Sequence, residues 1–323
     1  MTKIKSKITP DTILKNFWKD NNRFADLFNA CFFDGNPKLN PDDLTEVDTD
    51  ISSLLQFHGY AETVKRIVDV VKKSAYGVDF VILGIENQAK IHYAMPLRHM
   101  LGDAFSYLKE YNEIAKKYKD EKPHGTPDEF LSKMKKTDRL HSVLTICIYY
   151  GETPWDGPRS LIDMLEIPDA FKPLISDYRF NLIELRKSEH LKFHNDDVDK
   201  IFNISRFIFD EKYDKITDIF KDENISSELA MVIGCITESQ KLINDAVESE
   251  EKGGSVNMCK ALEKLEERGR QEGRLEGRLE GRLQGQMVTK LKLILKKVHK
   301  NKSFDQIVDE LEEDADVVQP LYD

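Results

Sequence analysis

The sequence predicts an α/β fold: a small mixed sheet flanked by helices, followed by a helical C-terminal region with a long polar helix. Three observations predict it. Short apolar, β-branched runs at 64–71, 79–86 and 142–150 are bounded by turn residues, as buried strands are. Apolar residues recur at helical spacing before and between those runs, over 11–35 and 93–119. Beyond about residue 195 the pattern is helical to the end.

In order, Pro10-Asp11-Thr12 opens a helix whose apolar residues Leu14, Phe17, Trp18, Phe24, Leu27 and Phe28 continue until Asp34-Gly35. A mixed, partly extended segment over 44–55 follows. The runs 64–71 and 79–86, separated by Ser74, Tyr76 and Gly77, read as a hairpin inside a sheet covered on both faces. A polar loop over 122–127 precedes the third strand, 142–150, which stops at Gly151 and a Pro/Trp/Gly turn. Asn181 to Leu185 is a candidate fourth strand.

Composition narrows the function classes. The 323 residues carry 48 Lys+Arg against 58 Asp+Glu, a net charge of −10, which argues against coating nucleic acid with the whole surface but allows a local basic groove. Cys31, Cys147, Cys235 and Cys259 form no C-x-x-C pair, so reduced thiols are expected. Neither an 18-residue apolar run nor a signal-peptide pattern is present, so no membrane partner and a cytoplasmic location are expected.

The chemistry-bearing feature is Asp69 on one strand and Glu86-Asn87-Gln88 at the end of the next. Strand alternation puts Glu86, Gln88 and Lys90 on one side, and Asp69 on the neighbouring strand is placed to meet Glu86. Two carboxylates brought together repel unless a cation sits between them, and hard oxygen ligands suit Mg²⁺, with Mn²⁺ as its substitute. Such an ion activates water and neutralises the charge developing on a scissile phosphate. Gln88 would orient that water and Lys90 would reach the phosphate. On spacing alone the signal is weak, and two ordinary carboxylates at strand ends are the plainer reading.

The surrounding words are more specific. The segments at 66–69 (RIVD), 77–107 (GVDFVILGIENQAKIHYAMPLRHMLGDAFSY) and 144–158 (LTICIYYGETPWDGP), with the opening helix at 11–33, resemble the recombination-promoting nuclease / putative transposase family. The E-x-Q step looks like a variant of the PD-(D/E)XK nuclease signature. The resemblance covers roughly residues 11–210. It implies a restriction-endonuclease-like mixed sheet and Mg²⁺-dependent DNA cleavage. By position it makes Asp69 and Glu86 metal ligands and puts Gln88 where a catalytic Lys usually stands. A neutral amide cannot stabilise an anionic nucleophile as an ammonium does, so turnover is slow or Lys90 substitutes. A first-helix acid, if present, is Asp26. Arg98, opening the next helix, is a candidate phosphate contact on DNA. The competing reading is a catalytically decayed DNA-binding or oligomeric scaffold.

Other features have plainer readings. Tyr107 and Tyr149-Tyr150 are expected to pack in the core. His190 and His194 lack the Glu of a zinc-protease helix and are expected to be exposed. No phosphate-binding Gly-rich loop is present. Lys290 to Lys302 holds six lysines and no acid, which is either a DNA-holding face or a solvated one.

The expected organisation is a nuclease-like domain over 1–210, a helical linker over 211–254, and an oligomerisation region over 255–323. Within the last, a helix is expected over 258–298, with Gly269, Gly273, Gly277, Gly281 and Gly285 every four residues. Each such Gly costs a lone helix about 1 kcal/mol relative to Ala. A sister-chain helix that meets the Gly stripe and pairs Glu with Arg would offset that cost, giving a homo-oligomer; the plain alternative is a solvated low-complexity expansion. The four-residue period exceeds 3.5, so no left-handed heptad coiled coil is implied. A last amphipathic helix is expected over 303–311 behind a Ser303 N-cap.

Overall fold

The computed structural model describes residues 9–47, 70–84, 91–121, 125–151, 153–220, 223–252, 254–311 and 315–322. It divides into two units, Met1–Ala261 and Leu262–Asp323. The class is mixed α/β.

The first unit opens with α1 (Pro10–Trp18) and α2 (Asn21–Phe33). Thr9 caps α1, and Asp20 caps α2 by accepting the Arg23 N–H at 2.9 Å. That second cap divides the single helix expected over 11–35. α2 ends with Asp34 at φ +53° and Gly35 at φ +81°. A Cβ on Gly35 would stand 2.9 Å from the Lys192 carbonyl oxygen, so backbone conformation and packing both require glycine there.

The sheet follows: β1 (Thr45–Glu46), β2 (Val70–Ala75) and β3 (Val78–Gly84). Tyr76 and Gly77, both at positive φ (+56° and +72°), make the two-residue turn of the β2–β3 hairpin. The hairpin is as expected, but β2 runs further along the chain than the 64–71 run suggested. It includes Lys72, Lys73 and Ser74, because the two lysines are paired on opposite faces. Lys72 bonds Asp79 at 2.9 Å, while the Lys73 ammonium reaches the Lys19 carbonyl and Asn21 Oδ1. Of the expected 44–55 segment only Thr45–Glu46 is a described strand.

α3 (Met95–Glu121) and the short α4 (Pro127–Ser132) lead to β4 (Ser142–Tyr149) and β5 (Asn181–Glu184). The sheet order is β1-β2-β3-β4-β5, antiparallel through β3 and parallel from β3 onward. Each parallel step requires a crossover, and α3 lies in the one between β3 and β4. Its residues bond along β4 in reverse. Thr145 Oγ1 donates to Asp103 Oδ1 at 2.6 Å, Val143 N–H to the Tyr107 hydroxyl at 3.2 Å, and His141 N–H to Glu110 at 2.9 Å. On the other face Phe28 stacks on Phe24 and meets Phe80 of β3 edge-on at 5.2 Å. Phe80, Val81 and Ile82 are successive and all buried, so this strand is covered on both faces. Tyr149 is buried and Tyr107 and Tyr150 half-buried, as packing residues are; His190 and His194 are exposed and lie outside helices.

Beyond the sheet come α5 (Asp196–Phe209), α6 (Tyr213–Phe220), β6 (Asn224–Ser226), α7 (Ser227–Ile236), α8 (Gln240–Lys252), β7 (Ser255–Asn257) and α9 (Met258–Val298). α7 packs against α1 and α5, inside the first unit. The β6–β7 ribbon interrupts the helical pattern expected here; each strand has one apolar residue, too short a pattern to read.

In the second unit α9 is followed by α10 (Phe304–Leu311) and α11 (Ala315–Tyr322). Ser303 caps α10 as expected: Gln306 N–H donates to Ser303 Oγ, and Ser303 N–H donates to the Gln306 side chain. Ile294, Ile307 and Val318 form the buried core of this small cluster.

Candidate functional site

The antiparallel β2–β3 register pairs Val70 with Leu83, while Gly84 of β3 lies beside Ile148 of β4 and Tyr149 beside Glu184 of β5. One edge of the sheet therefore collects the start of β2 and the ends of β3, β4 and β5. Ligands of open α/β sheets bind outside the carboxyl ends of parallel strands. Asp69 immediately precedes Val70, and Glu86, Gln88 and Lys90 follow Gly84 by two, four and six positions. All four lie outside the described residues.

Arg98 is described. Met95, at the start of α3, packs with Cys147, Tyr149, Trp155 and Phe180, which fixes the N-terminal turn of α3 at this same edge. Arg98 is half-buried there, and its charge acts on His92 and Cys147. Burial first, then the Arg98 guanidinium, holds the His92 imidazole below its ordinary value, so it is neutral at neutral pH. Burial pushes the Cys147 thiol up, consistent with an inert reduced cysteine.

Sequence reasoning missed Glu184. This strand-end carboxylate, 9% exposed, accepts the Trp155 N–H at 3.1 Å and pairs with Lys187 at 3.0 Å and with Arg159. The signal available was a Glu at the end of a strand with Lys three residues later. Burial raises its pKa, but the Trp155 N–H and the two cations outweigh burial and hold it below its ordinary value. Glu184 thus ties the Trp155 loop and two basic side chains to the sheet edge. A carboxylate held lower in the folded than in the unfolded chain stabilises above the unfolded pKa, and that stability is lost as pH falls. Melting temperature is therefore expected to drop below about pH 4.5, and less steeply in Glu184→Gln. Equal acid slopes for the two proteins would remove Glu184 from this role.

Asp26 is on α2. Its Oδ1 accepts the His194 N–H at 2.9 Å and its Oδ2 is buried without a hydrogen-bond partner. It borders an open cavity of about 640 Å³ lined also by Asn22, Asn29, Asn40 and Asn195. Asn29, Asn40 and Asn195 are committed to backbone groups.

Among the described residues no group of three or more His, Cys, Asp or Glu side chains is placed to hold a metal ion. The described carboxylate at the sheet edge, Glu184, is committed to cations and a backbone N–H. Cys31, Cys147 and Cys235 are unbridged, as expected. No described helix is long and apolar enough to cross a membrane. No family model, curated protein or solved structure matches the chain.

Proposed function

We propose that the protein is a metal-dependent DNA endonuclease promoting recombination or DNA mobility, working at the sheet edge formed by β2, β3 and β4. The observation that carries the reading is the antiparallel Val70–Leu83 register, because it brings to one edge the two chain positions that lead to Asp69 and Glu86. The resemblance of the 77–107 segment to the recombination-promoting nuclease family supplies the chemistry, and the Arg98 guanidinium at the same edge suits an anionic substrate. Asp69 and Glu86 would hold the ion, Mg²⁺ or Mn²⁺, with oxygen ligands of the hardness it prefers. When bound, it lowers the pKa of water and screens the phosphate. Gln88 orients the water through its amide, Lys90 supplies the ammonium that Gln88 lacks, and Arg98 holds a phosphate oxygen.

Full-length protein is expected to nick or cut supercoiled plasmid with Mg²⁺ and to leave it intact with a chelator. Binding without cleavage in both Mg²⁺ and Mn²⁺ would replace this reading with the scaffold. Replacing Lys90 or Arg98 by Ala is expected to slow cleavage about tenfold and to reduce the salt slope of binding by about 1. If neither variant changes cleavage or salt dependence, the DNA groove lies elsewhere.

A further inference from the structure

We infer that α9 pairs with α9 of a second copy of this chain, in parallel orientation, through its leucine stripe. The side chains of Leu279, Leu283 and Met287 are 62%, 58% and 60% exposed. They recur every four residues on a continuous helix, so they form one ridge two turns long. Three large apolar groups in a row on a solvent-facing helix gain by being covered.

Charge selects the occupant. At about 100° per residue, Arg278 and Arg282 lie 60–100° to one side of the ridge, and Glu280 lies 60–100° to the other. All three are exposed. When two copies of such a ridge meet in parallel, opposite flanks face each other, and each Glu flank meets an Arg flank. In an antiparallel pair the same flanks meet, setting Glu against Glu and Arg against Arg. The surface is therefore complementary to itself in one orientation only.

The Gly stripe lies on the far side of the helix. A Cβ added at Gly277, Gly281 or Gly285 would meet nothing within 4 Å. A glycine face offers little apolar area to bury, so the contact belongs to the leucines. Ridges of four-residue spacing interlock at a crossing angle of about −50°, which limits contact to a few turns. The lysines from Lys290 onward then diverge instead of facing their copies.

This inference does not depend on the nuclease reading. The test is the mass of the full-length protein in solution, by light scattering after gel filtration. Wild type is expected to be dimeric or a multiple of it. Leu279→Ser/Leu283→Ser and Arg278→Glu/Arg282→Glu are each expected to halve the mass, and Gly281→Ala to leave it unchanged. Orientation is read with a short bis-maleimide on Leu279→Cys and, separately, on Met287→Cys, each against the same chain without the added cysteine. A parallel pair cross-links at both positions. A monomeric wild type, an unchanged mass in the Leu and Arg variants, dissociation by Gly281→Ala, or cross-linking at only one position would overturn the inference.

Discussion

Asp69→Ala and Glu86→Ala are each expected to lower plasmid cleavage at least about 100-fold while leaving the melting temperature at or slightly above that of the wild type. The two effects have opposite causes. Two carboxylates held together as proposed would repel each other in the absence of a cation, so losing one member would relieve the folded chain. The same loss removes half the oxygen ligands that would bind the ion. A stability gain accompanied by an activity loss marks a functional site, whereas a structural acid shows both losses together. Full cleavage in both variants would remove these residues from the reaction. Restoring the missing ammonium by Gln88→Lys is the informative companion: if Lys90 already acts there, the added charge changes little.

The largest stability effect is expected at Lys73. Its side chain is fully buried, with the ammonium bonded to the Lys19 carbonyl and Asn21 Oδ1 and standing 5.4 Å from the centre of the Phe24 ring. Burial lowers its pKa, against the opposing charges of Glu46 and Asp20. Asn21 in turn donates to the carbonyls of Pro41 and Leu44 at 3.0 and 3.1 Å. One lysine thus joins the α1–α2 junction and the chain entering β1 to the middle of β2. Lys73→Ala leaves a cavity and strips the Lys19 carbonyl and Asn21 Oδ1 of their shared donor, for a loss of about 3–5 kcal/mol in urea unfolding. Lys73→Met keeps most of the volume and is expected to lose less than half as much. An Ala variant within 1 kcal/mol of wild type would show that the ammonium is not part of the core (about the error of such a comparison).

Lys73 also shows why part of the fold escaped the sequence. A strand was legible where apolar residues run together, as in 79–83 and 142–149, because burial of both faces writes itself as composition. Lys72-Lys73-Ser74 carries no such mark. Its strand character comes from partners 52 to 54 positions away for Lys73, and no local pattern records those. The Asp20 cap that divides the first helix was readable in principle, as was the Thr126–Glu129 capping box that opens α4, where both reciprocal bonds form. The site divides the same way. The residues of the E-x-Q step stood out by their type and position, and Arg98 by its place at a helix start. Glu184 did not, because its importance lies in Trp155 and Arg159, brought to it by packing of the loop between β4 and β5.

On the proposed function Asp69, which precedes Val70 in the chain, and Glu86, which follows Gly84 by two positions, would hold a divalent cation. The most direct measurement is a Mn²⁺ titration of the full-length protein followed by electron paramagnetic resonance, which counts the free ion. Wild type is expected to remove Mn²⁺ from solution, in competition with Mg²⁺, and the Asp69→Ala/Glu86→Ala chain to leave it free. Equal uptake by the two proteins would show that Asp69 and Glu86 do not bind the ion.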